Sequence, residues 1–262
     1  MKIKEPEQQV RPGKKLECFI ANTDALIKEA QALRYRVFAQ EMGAKLKSGI
    51  EGLDYDEVDD FCDHLVVYDN IKAKIVGYTR LLNETQAKRL GRFYSQNEFH
   101  MEQILALPGR FLEIGRTCVD PDYRGGAVLT TLWTALIQYA MEGQFNYLLG
   151  CASITPGPSG FAVDAVYRNI DSKNMAPPDL QVKPLVPVPL ALRCERDESG
   201  IPPLLKSYFR FGVLVCGEPY WDEDFNCMDL FIILPLDQVQ ERYSKHFMRG
   251  YQGNEVENTV ML

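Results

Sequence analysis

The stretch FLEIGRTCVDPDYRGG, residues 111 to 126, sets Glu113 and Arg116 into a segment that otherwise has the composition of a buried strand. Ionised groups in such a place are costly unless they pair or face a wet cavity. Alternate side chains of a regular strand point to opposite faces, so residues three apart diverge. A bulge near Gly115 would turn Glu113 and Arg116 toward one cleft. A structural ion pair, or an edge strand with one solvated face, accounts for the same residues. Downstream, VDPDYRGG leads into a long apolar helix. A strand, a tight turn and a helix start direct backbone N–H groups and a positive helix end at an anion. Gly125 and Gly126 permit close backbone approach, and Arg124 adds a fixed positive charge. A plain helix start after a flexible glycine pair reads the same way.

The elements that must position these residues alternate along the chain. Residues 22–43 carry apolar side chains at helical spacing, with Asn22 to Asp24 to cap the start and Gly43 to end it. Strands are expected at about 64–69 and 74–82. A polar, basic connection over 83–96 and a short helix over 98–107 follow. A strand over 109–119, a helix over 127–143 and a buried strand over 146–154 complete the first part. Beyond 154, a proline-rich extended segment over 175–192 interrupts the pattern. A helix at 201–212, strands at 213–217 and 229–235, and an amphipathic helix over 236–249 come after it. Residues 1–17 read as a mobile leader and 251–262 as a polar tail. The alternation predicts an α/β (α+β) domain, one mixed central sheet flanked by helices over 18–250, with 155–250 as an extension packed on the core.

The 262 residues are 46% hydrophobic and 25% charged, ordinary for a globular protein with a sizeable core. A net charge of −7 argues against nucleic acid as a partner. The apolar runs are too short to cross a bilayer, and the N-terminus lacks the apolar stretch of a secretory signal. The seven cysteines include no Cys-x-x-Cys pair and read as reduced core thiols of a cytoplasmic protein. No metal-ligand spacing is present. His64, opening a strand, reads as a ring bonded to backbone or as a second base. Tyr208, Phe209 and Phe211 suit core packing, with peripheral contact to the inner membrane face left open.

Val119, Pro121 and Arg124 after a strand, then a helix, then the strand YLLGCAS, resemble the acyl-carrier core of the GCN5-related N-acyltransferases (GNAT). LRYRVFAQEMG, DEVDDFCDHLVV, IVGYTRLL, FLEIGRTCVDPDYR and YLLGCAS, in that order, resemble the ornithine-acyl-carrier-protein N-acyltransferases, the haemolysin-like branch. That branch is similar in turn to acyl-homoserine-lactone synthases and N-acyl amino acid synthases. The likeness runs from about residue 16 to 248. It implies a GNAT-like sheet and transfer of a long, 3-hydroxylated acyl chain from acyl carrier protein to the α-amine of ornithine, giving a lyso-ornithine lipid. Another amino acid, a coenzyme A donor, or a non-catalytic acyl-carrier-binding protein of the same fold are the alternatives.

The resemblance also implies roles. No cofactor is tightly bound, and a phosphopantetheine thioester enters as co-substrate. Glu113 would deprotonate the amine, which is mostly protonated at neutral pH, and Ser153 would hold or protonate the leaving thiol. Arg34 and Phe38 match an Arg/Phe pair of the homoserine-lactone synthases. Asp56 and Asp59 match two acidic residues and would hold the distal amine. Arg80 or Arg116 would bind the carboxylate bidentately. Trp133 would line the acyl tunnel. Val119, Arg124, Gly125 and Gly126 would receive the donor's phosphate. The family loop has small residues where this chain has Ala127 and Leu129, which crowds a pyrophosphate and favours acyl carrier protein with its single phosphate. Lys88, Arg89 and Arg92, with Arg110 and Arg124, offer a basic patch to that acidic partner or form a solvated loop.

Overall fold

The structure, a computed structural model, describes residues 15–46, 48–195, 201–237 and 239. Ten strands occur among the described residues. They are β1 (Leu16–Ala21), β2 (Asp63–Asp69), β3 (Lys74–Asn83), β4 (Phe99–His100), β5 (Phe111–Val119), β6 (Tyr147–Ile154), β7 (Lys183–Pro184), β8 (Leu214–Val215), β9 (Tyr220–Asp222) and β10 (Cys227–Pro235). The main sheet runs β1-β2-β3-β5-β6-β10-β8, with β9 also on β10, while β4 and β7 pair separately. Every neighbour is antiparallel except β5 and β6. The helices are α1 (Asp24–Tyr35), α2 (Glu84–Leu90), α3 (Glu102–Leu105), α4 (Ala127–Glu142), α5 (Val163–Asn169) and α6 (Pro203–Phe211).

Strand alternation divides the core between two faces. Leu65, Val67 and Val76 pack against Val128, Leu132, Leu136 and Ile137 of α4. The intervening Val66, Ile75 and Tyr78 pack against Ala30 and Leu33 of α1. Such residues, buried on both sides of β2 and β3, explain why those strands read as continuous apolar runs. Gly77 lets α4 approach closely, since a Cβ there would lie 2.5 Å from Val128 Cγ1. The strand after the proline-rich segment, β10, lies beside β6 in the main sheet and adds Leu230, Ile232 and Leu234 to the α4 core.

Two irregularities shape the centre of the sheet. Tyr78 of β3 faces Cys118 and Arg80 faces Gly115, so Arg116 and Thr117 together oppose Thr79. This is a β-bulge, and Arg116 adopts a left-handed φ of 53°. That conformation is costly for a side chain with a Cβ and persists only where surroundings enforce it. On the other side, β5 pairs with β6 only at Phe111–Tyr147, Leu112–Leu148 and Glu113–Leu149. Beyond Glu113 the two strands part.

Several expected boundaries shift. The first helix is α-helical only to Tyr35, then widens into a π turn over Arg36–Glu41, with Met42 N–H donating to the Val37 carbonyl. Thr23 caps its start. The 83–96 connection contains α2, held by a reciprocal Asn83–Gln86 capping box and ended by left-handed Gly91. The 98–107 helix shortens to α3, because residues 99 and 100 pair with β7. The first strand begins at Leu16, inside the expected leader. The 236–249 helix and the tail fall largely outside the described residues. No disulfide links the cysteines.

Gly150 sits where the strands begin to part, and a Cβ there would run into the Ile114 carbonyl oxygen. Gly150→Ala is expected to cost on the order of 2 kcal/mol in denaturant unfolding, because backbone must move to make room.

Candidate active site

The parted strands open a cavity of about 750 Å³. Its walls are the π turn (Phe38, Glu41, Met42), the loop before α4 (Arg124, Gly126) and the face of α6 (Leu204, Leu205, Tyr208). Leu129 and Ile232 extend the apolar side, while Glu98, Glu113, Arg116 and Asp229 lie on the polar side. The bulge does what a flat strand could not: Glu113 and Arg116 both face this space.

Glu113 is 3% exposed. Its Oε2 accepts from the Tyr94 N–H at 2.6 Å, and Oε1 accepts from the Ser95 N–H at 2.8 Å and the Ser95 hydroxyl at 2.5 Å. Burial raises its pKa, outweighing the opposing Ser95 and Tyr94 hydrogen bonds. Ser95 Oγ also lies 3.3 Å from Cys151 Sγ on β6, so the carboxylate is tied to both parting strands. A buried carboxyl with a raised pKa at a cavity wall is suited to exchange a proton near neutral pH.

Beside it lies a compact ionic network. Arg34, fully buried, donates to Asp54 at 2.9 Å and Asp59 at 2.7 Å. Arg80 donates to Asp56 at 2.6 Å and Asp59 at 2.9 Å. Burial opposes the charge on Asp59, but Arg34 and Arg80 prevail and hold its carboxyl well below the usual range. His64 contacts the Tyr78 hydroxyl at 2.7 Å and the Asp59 carbonyl at 3.1 Å, and burial lowers its pKa. Asp56 and Asp59, expected to hold a distal amine, are thus committed to arginines. Arg116 is bound more loosely, 3.4 Å from both Asp54 and Asp56, with its Nε making no hydrogen bond. Its guanidinium lies 5.4 Å from the Tyr94 ring centre and 4.5 Å from that of Phe225. Both arginines expected to meet a carboxylate line the cavity, and Arg116 keeps its Nε without a hydrogen bond.

The remaining expected residues divide. Val119, Gly126 and Arg124 line the cavity, but Arg124 is held by a bidentate pair with Glu41 at 2.5 and 2.7 Å. Gly125 is exposed beside Gly126, whose φ of 94° starts α4 without a side-chain cap. Leu129 stands in the cavity wall just past this helix start. Ser153 faces the cavity and hydrogen-bonds Asp229. Phe38 meets Phe225 edge-on at 6.0 Å. Trp133, expected along an acyl tunnel, instead packs in the core against Tyr208 and stacks on Phe211 at 4.8 Å, because it belongs to the buried stripe of α4. Lys88, Arg89 and Arg92 are not among the cavity-lining residues. Arg92 pairs with Glu57 and Asn97, and Arg89 lies over the Phe61 ring.

Sequence reasoning missed a second acidic group. Glu98 and Asp229 are each 3% exposed and line the cavity with Asp222. Burial first, then mutual repulsion with Asp229 and Asp222, raises the Glu98 pKa. Asp229 is pushed up to about 6, mainly by burial. Asp222, Cys227 and Asp229 bring potential ligand atoms within 4.8 Å of one another. The signal was present, since Asp229 interrupts the apolar run CMDLFIIL as Glu113 interrupts FLEIG.

A central, mainly antiparallel sheet whose parallel inner strands part over a cavity, with a helix starting at its mouth, defines an acyltransferase of the GNAT fold. Residues 33–134 match the acetyltransferase (GNAT) domain model. The chain is 34% identical over 88% of its length to the L-ornithine N(alpha)-acyltransferase of Rhizobium meliloti (strain 1021), covering 84% of that protein. It is 33% identical, again over 88%, to the enzyme of the same name from Brucella abortus (strain 2308), covering 88% of it. Among solved structures, the AHL synthase LasI aligns with TM-score 0.51 at 14% identity, over 86% of this chain and 92% of LasI. FeeM, an N-acyl amino acid synthase from uncultured soil microbes, aligns with TM-score 0.50 at 10% identity, over 84% and 91%. The protein belongs to the L-ornithine N(alpha)-acyltransferase family.

The two acidic groups should behave oppositely when disturbed. Arg34→Met strands Asp54 and Asp59 without their partner and is expected to cost about 3 kcal/mol or more in chemical denaturation. Asp229 has a folded pKa above its unfolded one. Its contribution to stability is therefore full below pH 3.8 and lost as pH rises through about 6. Asp229→Asn removes that loss, so the unliganded variant should gain on wild type by on the order of 2 kcal/mol between pH 4 and pH 8. Melting curves at the two pH values measure it.

Proposed function

We propose that this protein transfers a long 3-hydroxyacyl chain from a phosphopantetheine thioester to the α-amino group of ornithine, giving a lyso-ornithine lipid. The observation that carries the reading is the cavity between the parted strands, apolar toward α4 and α6 and polar at Glu113 and Arg116. Relatives named L-ornithine N(alpha)-acyltransferase, at about a third identity, support ornithine as the acceptor.

The acceptor's carboxylate meets Arg116, whose Nε has no hydrogen bond and whose partners stand off at 3.4 Å. Glu113, directly or through one water, takes the proton from the α-ammonium. The free amine attacks the thioester carbonyl. The developing oxyanion is received by backbone N–H groups on the unpaired edges of β5 and β6. The attack forms the C–N bond; collapse of the tetrahedral adduct re-forms the carbonyl and breaks the C–S bond, and a proton from the attacking nitrogen passes to the leaving thiolate, with Ser153 at the cavity wall to hold it. The acyl chain lies along Leu204 and Leu205.

The donor's phosphate approaches Gly125, Gly126 and the α4 helix start, where Arg124 is available once it leaves Glu41. Leu129 narrows this place and favours acyl carrier protein over coenzyme A. The exposed Lys88 and Arg89 and the half-buried Arg92 suit an acidic carrier protein. No helix among the described residues is long and apolar enough to cross a membrane. Peripheral contact with the membrane would bring the lipid product to its destination.

Purified protein offered 3-hydroxyacyl thioesters of acyl carrier protein and of coenzyme A, with ornithine as acceptor, should form acyl-ornithine faster from the carrier protein. Glu113→Gln should lower kcat by about 100-fold or more at pH 7.5, and part of this should be recovered at higher pH as free amine accumulates. Its melting temperature must be read alongside, since an amide would oppose the Tyr94 or Ser95 N–H. A folded Glu113→Gln enzyme with wild-type kcat would overturn the assignment of the base.

A further inference from the structure

The polar end of the cavity holds more negative charge than the reaction just described uses. In the neighbouring network three guanidinium groups, Arg34, Arg80 and Arg116, face three carboxylates, Asp54, Asp56 and Asp59, so it is neutral by count. Glu98 and Asp229 have no such balance. Glu98 Oε2 is buried without a hydrogen-bond partner although it belongs to a cavity-lining residue. Its nearest electrostatic neighbours are Asp229 and Asp222, which repel it, and the Cys151 thiol, which hydrogen-bonds it. Asp229 is held by Ser153 and by Cys227 Sγ at 3.6 Å, both without charge. Arg116 lowers the pKa of both carboxylates, but less than burial raises them. A buried acid with an idle oxygen at the wall of a cavity is costly unless a ligand brings the missing donor and charge.

We propose that Glu98 and Asp229, with Asp222 beside them, hold the side-chain ammonium of the acceptor and so select an amino acid with a second, cationic amine. This rests on the acyl-transfer reading for the position of the α-amine, and it names residues that the sequence does not single out. The arrangement gives the acceptor three separate anchors: Arg116 for the carboxylate, Glu113 for the α-amine, and Glu98 with Asp229 for the far end. An ammonium carries three donors, which the idle Glu98 oxygen and the Asp229 carboxylate can accept. A burden of burial is thereby relieved only when the correct acceptor is bound, the condition for discrimination against an uncharged analogue. The raised pKa values of Glu98 and Asp229 agree, because burial first and then the neighbouring carboxylates disfavour their charged forms in the empty cavity.

Norvaline is ornithine without the distal amine and is the discriminating probe. By calorimetry the full-length protein is expected to bind ornithine at least about 100-fold tighter than norvaline. Glu98→Gln and Asp229→Asn should each weaken ornithine about tenfold or more while leaving norvaline within about threefold of wild type. In turnover with an acyl thioester the same variants should raise KM for ornithine far more than they lower kcat. Melting temperatures at or above wild type would show that both variants fold. The inference is overturned if folded variants keep the wild-type preference, or if wild type binds the two acceptors alike. It is also overturned if the preference disappears with a chelator and returns with a divalent metal, which would make Asp222, Cys227 and Asp229 a metal site. If wild type binds ornithine selectively and the variants do not, yet no acyl-ornithine forms with any thioester, the acyl-transfer reading fails while the ammonium site stands.

Discussion

The site depends on one constraint: β5 and β6 run parallel, share three paired positions and then separate. Each is fastened on its far side, β5 to β3 and β6 to β10, so neither can swing back to close the gap. Backbone polar groups left on the inner edges must find another partner, and a cavity between the strands is where a ligand can supply one. The bulge at Arg116 and Thr117 adds to this. It spends a left-handed residue to turn an arginine toward the same space as Glu113. Without it, the alternation of β5 would send Glu113 and Arg116 to opposite faces of the sheet.

Charge is distributed unevenly around that gap, and the unevenness has a function. Arg34, Arg80, Asp54, Asp56 and Asp59 satisfy one another and fix the loop over 54–61 against α1 and β3. Buried pairs of this kind give little net stability but strongly penalise the loss of a member. Glu98, Asp229 and Glu113 are instead buried without an ion-pair partner of their own, and burial is the main cause that raises the pKa of all three. A protein that keeps such groups at a cavity wall gives up stability in the empty state. In the proposed reaction, an acceptor with two amines would restore the balance.

Much of the scaffold was legible from the chain. Strict apolar runs marked β2, β3, β5, β6 and β10, and the buried stripe of α4 was plain at helical spacing. The bulge was one of the readings open for two charges three apart in one strand, beside a structural ion pair or a solvated edge. Local signals were missed where polar residues disguise helix: α2 has little apolar periodicity and is held by its Asn83–Gln86 box and by Gly91. The π turn after Tyr35 has no sequence mark of its own. Partnerships across the fold were harder still. That Asp56 and Asp59 would be spent on Arg34 and Arg80, or Arg124 on Glu41, is a matter of residues up to 83 positions apart. Trp133 looked like a tunnel residue by type, yet its register on α4 puts it in the core. Asp229 went unread because attention to one acid in an apolar strand was not extended to the other.

The measurement that bears most directly on this account is a crystal structure with a non-hydrolysable acyl-pantetheine analogue, in which the thioester is replaced by a thioether ketone. The account predicts the pantetheine arm between β5 and β6, with the carbonyl oxygen beside the unpaired strand edges just past Glu113 and Leu149. The acyl chain should run toward Leu204 and Leu205. An analogue bound elsewhere on the protein, or strands β5 and β6 closed against each other along their whole length, would contradict it.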